Sequence, residues 1–208
     1  MEFRLLYQGE LLPSGNNKTR PREKHAIRKA FHPQLRRQWN MHGGLKGHAV
    51  FLGSRILSGI QGIPPERHEE AFHAGLASIG KQWERNGYEF VPMVTDESSV
   101  RCALDILILR PEEPRLIYTQ GDLDGQVKTV FDALSMPKSL EQVGGAVPDQ
   151  DEKPFFCLFE DDRLISEVRV TADQLLLLPG EKDVKANDAF LVIHVKINYK
   201  YSGYIGPF

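Results

Sequence analysis

The sequence predicts a two-layer α+β fold, a small mixed β-sheet with helices packed on one face. Three observations carry that expectation. Val100, Cys102, Leu104, Ile106 and Ile108 alternate with more polar residues, the two-residue period of a half-buried strand. Phe72, Leu76, Ile79 and Trp83 fall at offsets of 0, 4, 7 and 11, the period of a helix facing a core. Segments of the two kinds are interleaved irregularly along the chain, which indicates a mixed sheet covered on one side.

Taken in order, residues 3–12 begin as a strand and end at Pro13-Ser14-Gly15-Asn16-Asn17, a run whose residues favour turns through fixed φ, side-chain bonding to backbone and tolerance of positive φ. Residues 22–39 read as a helix broken near Pro33. Residues 43–62 are rich in glycine around Val50, Phe51, Leu52, Ile56 and Leu57, and no period settles their structure. Pro64-Pro65-Glu66 opens the clearest helix, with acids at its start, Lys81 and Arg85 at its end, and Asn86-Gly87 as the stop, in keeping with dipole and capping rules. Strand signals follow at 90–94, 100–109, 164–170 and 190–197. A helix begins near Asp124, where Val127, Val130, Phe131 and Leu134 share one side and Asp124, Lys128 and Asp132 form an adjacent polar stripe.

The chain has 208 residues, 41% hydrophobic and 26% charged, which fits a single domain over residues 1–208 with an insertion at about 40–95 and a long connector at about 135–160. No segment approaches the roughly 18 apolar residues of a membrane span, and Met1-Glu2-Phe3-Arg4 lacks the basic end and apolar run of a signal peptide. A cytoplasmic protein is expected. Cys102 and Cys157 sit in apolar surroundings and read as reduced, inert, buried thiols. His68 and His73 resemble a zinc-protease helix only superficially. They are five apart, about 140° around a helix, whereas the true motif needs four.

The net charge of −2 conceals an asymmetry. Residues 18–46 carry nine bases, Lys18, Arg20, Arg22, Lys24, Arg28, Lys29, Arg36, Arg37 and Lys46, against the single acid Glu23. That excess of +8 leaves −10 for the rest of the chain. A basic stretch beside an acidic region suits a protein that neutralises a phosphate backbone in one part and holds a cation in another. A solvated helix face would show the same composition.

The arrangement that looks most like chemistry is Gly121-Asp122-Leu123-Asp124-Gly125 with Lys128, followed later by Glu160-Asp161-Asp162. Carboxylates two apart at the mouth of a helix, with further acids at the start of a strand, suit a hard divalent cation such as Mg²⁺, which takes oxygen ligands. Two bare carboxylates about 4 Å apart repel by about 4 kcal/mol at an effective dielectric of about 20. Three converging acids therefore need protons, basic partners or a metal. Singly, Asp124 also reads as an N-cap, Asp161 and Asp162 as turn residues, and Lys128 as the middle of an Asp-Lys-Asp ladder.

At these residues the sequence resembles the RusA-like family of Holliday junction resolvases. The resemblance rests on Asp122-Leu123-Asp124, Lys128, Phe131-Asp132-Ala133-Leu134, Asp161-Asp162 leading into a strand, and the Pro13-Ser14-Gly15-Asn16-Asn17 turn. It implies a small mixed α/β fold, a homodimer, and Mg²⁺-dependent cutting of branched DNA, with Mn²⁺ as a substitute metal. By that resemblance Asp122, Asp124 and Asp162 are the metal ligands and catalytic aspartates, Asp161 is the neighbouring ligand, and Lys128 is the catalytic lysine. Lys18, Arg20, Arg22, Lys24, Arg28, Lys29, Arg36 and Arg37 are the expected DNA contacts. The chain departs from the family in Tyr118-Thr119-Gln120-Gly121, where a basic run is usual, and in Gly125, where Asn is usual. Two other functions fit the same features. One is a nuclease of the same chemistry acting on flaps, forks or RNA. The other is a non-catalytic nucleic-acid-binding or assembly protein with this fold.

Overall fold

The structure, a computed structural model, describes residues 1–14, 20–59, 62–111, 123–176 and 187–199. It is mixed α and β, with four α-helices and two small mixed sheets among the described residues where the sequence predicts one sheet. The strands are β1 (Glu2–Glu10), β2 (Glu84–Arg85), β3 (Tyr88–Val94), β4 (Val100–Arg110), β5 (Phe155–Phe159), β6 (Ile165–Gln174) and β7 (Asp188–Tyr199). The helices are α1 (Arg20–Met41), α2 (Gly43–Ser58), α3 (His68–Gln82) and α4 (Leu123–Leu134).

The larger sheet has the order β1-β7-β4-β6. β7 runs antiparallel to both β1 and β4, and β4 runs parallel to β6. Its inner face carries the alternating residues read from sequence. Cys102, Leu104, Ile106 and Ile108 of β4 are buried with Leu191, Ile193 and Val195 of β7 and Leu5 of β1. The outer face stays partly wet, with rows such as Arg4, His194, Asp105 and Arg169 in register across the four strands.

The smaller sheet, β2-β3-β5, draws its strands from the expected insertion and the expected connector. β3 and β5 are parallel, and every residue of Phe155–Phe159 is buried. Asn86-Gly87 does not simply stop α3. Both residues have positive φ, 55° and 81°, and they form the two-residue turn that pairs Arg85 with Tyr88. Asn-Gly with φ positive at both positions is the pattern of a type I′ hairpin.

α1 is continuous through Pro33, a correction to the expected break. Its buried stripe of Ile27, Phe31, Leu35 and Trp39 spans both sides of the proline, so packing holds the helix where propensity would end it. The glycine-rich segment is α2, and its glycines explain themselves by contact. Ala49 and Gly53 face Ala71 and Gly75 of α3. A Cβ on Gly53 would overlap the Ala71 carbonyl, and one on Gly75 would overlap that of Ala49. Only glycine lets the two backbones approach that closely.

Candidate functional site

α4 carries the polar stripe. Its inward side buries Gly125, Gln126, Thr129, Val130, Ala133 and Leu134, while Asp124 and Lys128 stand exposed one turn apart and Asp132 is half-buried. Residues 12–14 strap across the start of the helix. Ser14 donates its amide to the Gly125 carbonyl at 2.8 Å, and the Thr129 hydroxyl donates to the Leu12 carbonyl at 2.9 Å. Lys24 of α1 then ties the pieces together, donating to Asp132 Oδ2 at 2.5 Å and to Ser14 Oγ at 3.0 Å.

The second acidic group sits where β5 leaves the small sheet. Met136, just past α4, donates to the Phe159 carbonyl at 2.9 Å, which brings the end of α4 to the end of β5. The chain then makes a 3₁₀ turn, Asp162–Leu164, capped by Asp161 Oδ1 accepting from the Arg163 amide at 3.1 Å. Asp161 Oδ2 also pairs with Lys138 Nζ at 2.7 Å. Burial pushes the Asp161 carboxyl up, but the bonds from Lys138, the Arg163 amide and Asp162 together hold it below its ordinary value. Asp162 moves the other way. Burial raises it first, the bond to Asp161 and that carboxylate's charge raise it further, and Asp132 adds to the effect. Of this facing pair, Asp162 is the first to take up a proton.

The structure thus gathers Asp161, Asp162 and Asp132 into one electrostatic neighbourhood with Lys138. Asp124 lies eight residues before Asp132, about 12 Å up the helix, and Asp122 lies outside the described residues. Among the described residues, no group of three His, Cys, Asp or Glu side chains is disposed to hold a metal ion. Lys138, which sequence reasoning missed, belongs to no periodic pattern or motif. Asp132 is read from sequence as part of the stripe on α4 and of the Phe131-Asp132-Ala133-Leu134 block, and not as a neighbour of Asp162.

The expected DNA contacts divide sharply. Arg36 and Arg37 are exposed towards the C-terminal end of α1, and Arg22 is exposed near its start with Nε 3.4 Å from the Gly144 carbonyl. Lys24 is committed to Asp132, Lys29 to Glu152 at 2.8 Å and Asp149 at 3.1 Å, and Arg20 to Glu23 at 2.8 Å. Arg28 differs most from the expectation, since at 2% exposure it has no surface with which to meet a phosphate. Its guanidinium donates to the carbonyls of Asp132 at 2.6 Å and Ser135 at 3.1 Å. α4 has no base in its own last turn, so Arg28 supplies the positive charge that a helix C-terminus favours. Lys18 lies outside the described residues.

Two buried histidines of α1 complete this polar layer. Arg28 can only donate, so His25 Nδ1, 3.2 Å from Nη1, accepts, and its Nε2–H faces the Tyr88 hydroxyl at 3.1 Å. The Phe156 amide donates to His32 Nδ1 at 2.9 Å, leaving Nε2–H for the Asp151 carbonyl at 3.1 Å. Both rings are held neutral. Cys102 and Cys157 are buried free thiols as expected, and burial pushes Cys102 up to about 12.

Comparison of the chain with protein-family models, with curated proteins and with solved structures finds no match. Among the described residues no helix is long and apolar enough to cross a membrane.

Proposed function

We propose that this chain is a cytoplasmic, Mg²⁺-dependent, homodimeric endonuclease of the RusA-like kind that resolves Holliday junctions or other branched DNA, with Mn²⁺ able to replace Mg²⁺. The observation that supports this reading most is the meeting of the Asp161–Asp162 turn with α4, the helix that bears Asp124, Lys128 and Asp132. Its oxygen donors suit a hard cation, and Asp162, whose carboxyl is raised first by burial and then by the Asp161 and Asp132 carboxylates beside it, sits where a cation would offset negative charge. When bound, Mg²⁺ would activate water and offset the charge that builds on the scissile phosphate.

The protein's own groups take the remaining parts. In this reading Asp122, Asp124 and Asp162, with Asp161 as the neighbouring ligand, are the groups that would hold the cation. Lys128, exposed on α4, brings an ammonium to the phosphate. Arg22, Arg36 and Arg37 are the basic residues of α1 left exposed for the backbone of the branch. The net reaction adds water across one P–O bond, giving a phosphate monoester on one strand end and a hydroxyl on the other.

Cleavage of a four-way junction and of the same sequence as linear duplex, in Mg²⁺ and in Mn²⁺, tests the reading. Asp162→Asn and Asp124→Asn should each slow junction cleavage about 100-fold or more, the scale of losing one group that acts on developing charge. Junction affinity and its dependence on salt should stay intact. Salt-dependent binding with no product in either metal would instead identify a non-catalytic nucleic-acid-binding protein, and cleavage of both substrates alike would point to another target.

A further inference from the structure

The larger sheet has two edges, and they are finished differently. Along β1 the Gln34 side chain of α1 acts as a short false strand. It donates to the Leu6 carbonyl at 2.7 Å and accepts from the Leu6 amide at 2.9 Å, so both groups on that side of the residue are occupied. Along β6, among the described residues, no side chain from another element reaches the backbone of residues 167–171. The strand is ten residues long, contains neither proline nor lysine, and has Ser166, Glu167, Val168 and Arg169 all exposed, Val168 at 39%. Unpaired strand edges of this kind are templates for another strand, and proteins usually blunt them.

We propose that β6 is the docking edge for a second copy of this chain, pairing antiparallel about a two-fold axis at Val168. Charge complementarity selects both the partner and the register. Register with β4 puts Glu167, Arg169, Thr171 and Asp173 on the outer face, opposite Ala103, Asp105, Leu107 and Leu109. In an antiparallel pair, directly opposite residues share a face, and opposite charges there stabilise while like charges repel. With the axis at Val168, Glu167 of each copy stands opposite Arg169 of the other on the outer face, while the two Val168 side chains, in register with Leu104, meet on the inner face. Moving the axis to Glu167 or to Arg169 sets identical charges against each other. An axis at Thr171 pairs Arg169 with Asp173 but leaves Glu167 beyond the paired segment. The strand therefore reads as complementary to itself, and the result is a continuous eight-stranded sheet. By strand rise, the two Asp161–Asp162 turns would lie at most roughly 40 Å apart along it.

Sedimentation equilibrium of the full chain tests this, independently of whether it cleaves DNA. The intact chain should form a dimer with a dissociation constant in the micromolar range, as suits one strand pair and a small buried area. Glu167→Arg and Arg169→Glu, both at exposed positions, should each weaken it tenfold or more with unchanged circular dichroism. The double exchange, Glu167→Arg with Arg169→Glu, should restore it because the opposed pairs are merely reversed. A chain that remains monomeric at all concentrations overturns the proposal. So does a dimer indifferent to Glu167→Arg, or a double exchange no better than the single ones.

Discussion

The two sheets bury their strands in opposite ways. β4 and β7 of the larger sheet turn one face inward and leave the other partly wet, so each residue's cost depends on its face. In the smaller sheet β5 is buried throughout and β3 at every position but Glu89, and α1, which packs against β5, answers polar needs that water cannot. His32 takes the Phe156 amide, and Arg28 takes carbonyls at the end of α4. Near the small sheet the polar groups are few and indispensable, whereas on the open face they are many and replaceable.

The sharpest way to break that contrast is Arg28→Ala. It leaves the Asp132 and Ser135 carbonyls unsatisfied in a dry setting and removes the charge that complements the C-terminus of α4. Uncompensated buried groups of this kind cost about 3–5 kcal/mol, so a large fall in the urea midpoint is expected at an unchanged slope. A loss below about 1 kcal/mol would mean that water reaches this layer, and the two sheets would then not differ as described.

Much of this division was legible in the sequence. Alternation locates β4 and β7 because one face of each remains in contact with water. Phe155 to Phe159 has no alternation to read, and β5 went unseen for that reason. The Ala49/Gly53 and Ala71/Gly75 contact makes sense of α2 only once α3 lies against it, since small residues carry no periodic apolar signal of their own. At the candidate site, the Asp161–Asp162 turn and the stripe on α4 could be read from spacing. The pairing of Lys138 with Asp161 and the diversion of Lys24, Lys29 and Arg28 into internal contacts could not. Charge counting cannot tell a base aimed at solvent from one folded back onto an acid or a carbonyl.

A smaller effect comes from pH. Burial, with Arg28 and then Lys29 nearby, lowers the His25 pKa from 6.5 to about 4, and His32 is lowered too. Between those values the unfolded chain binds more protons than the folded one, so stability rises with pH. The contribution is fully present above about 6.5 and is lost as the pH falls towards 4. For His25 it is on the order of 2 kcal/mol. Urea unfolding at pH 7.0 and pH 4.5 should show that loss. His25→Gln, which can still accept from Arg28 and donate to Tyr88 but does not titrate, should shrink it. An undiminished pH dependence in the variant would assign the effect to other groups.

The smallest expected effect is also the most direct comparison, because it makes the same chemical change once in each sheet. Val91 of β3 is fully buried, while Val192 of β7 lies half-buried on the outer face beside Leu6 and Leu107. Threonine matches valine in shape and β-preference but adds a hydroxyl. At position 192 the hydroxyl can reach water, and Val192→Thr should change stability by no more than about 0.5 kcal/mol. At position 91 the hydroxyl must bond within a dry apolar layer or go unbonded, and Val91→Thr should cost about 1–3 kcal/mol. Equal costs at the two positions would show that the outer face of the larger sheet is itself covered, as it would be if a partner packed flat against it instead of joining at the β6 edge.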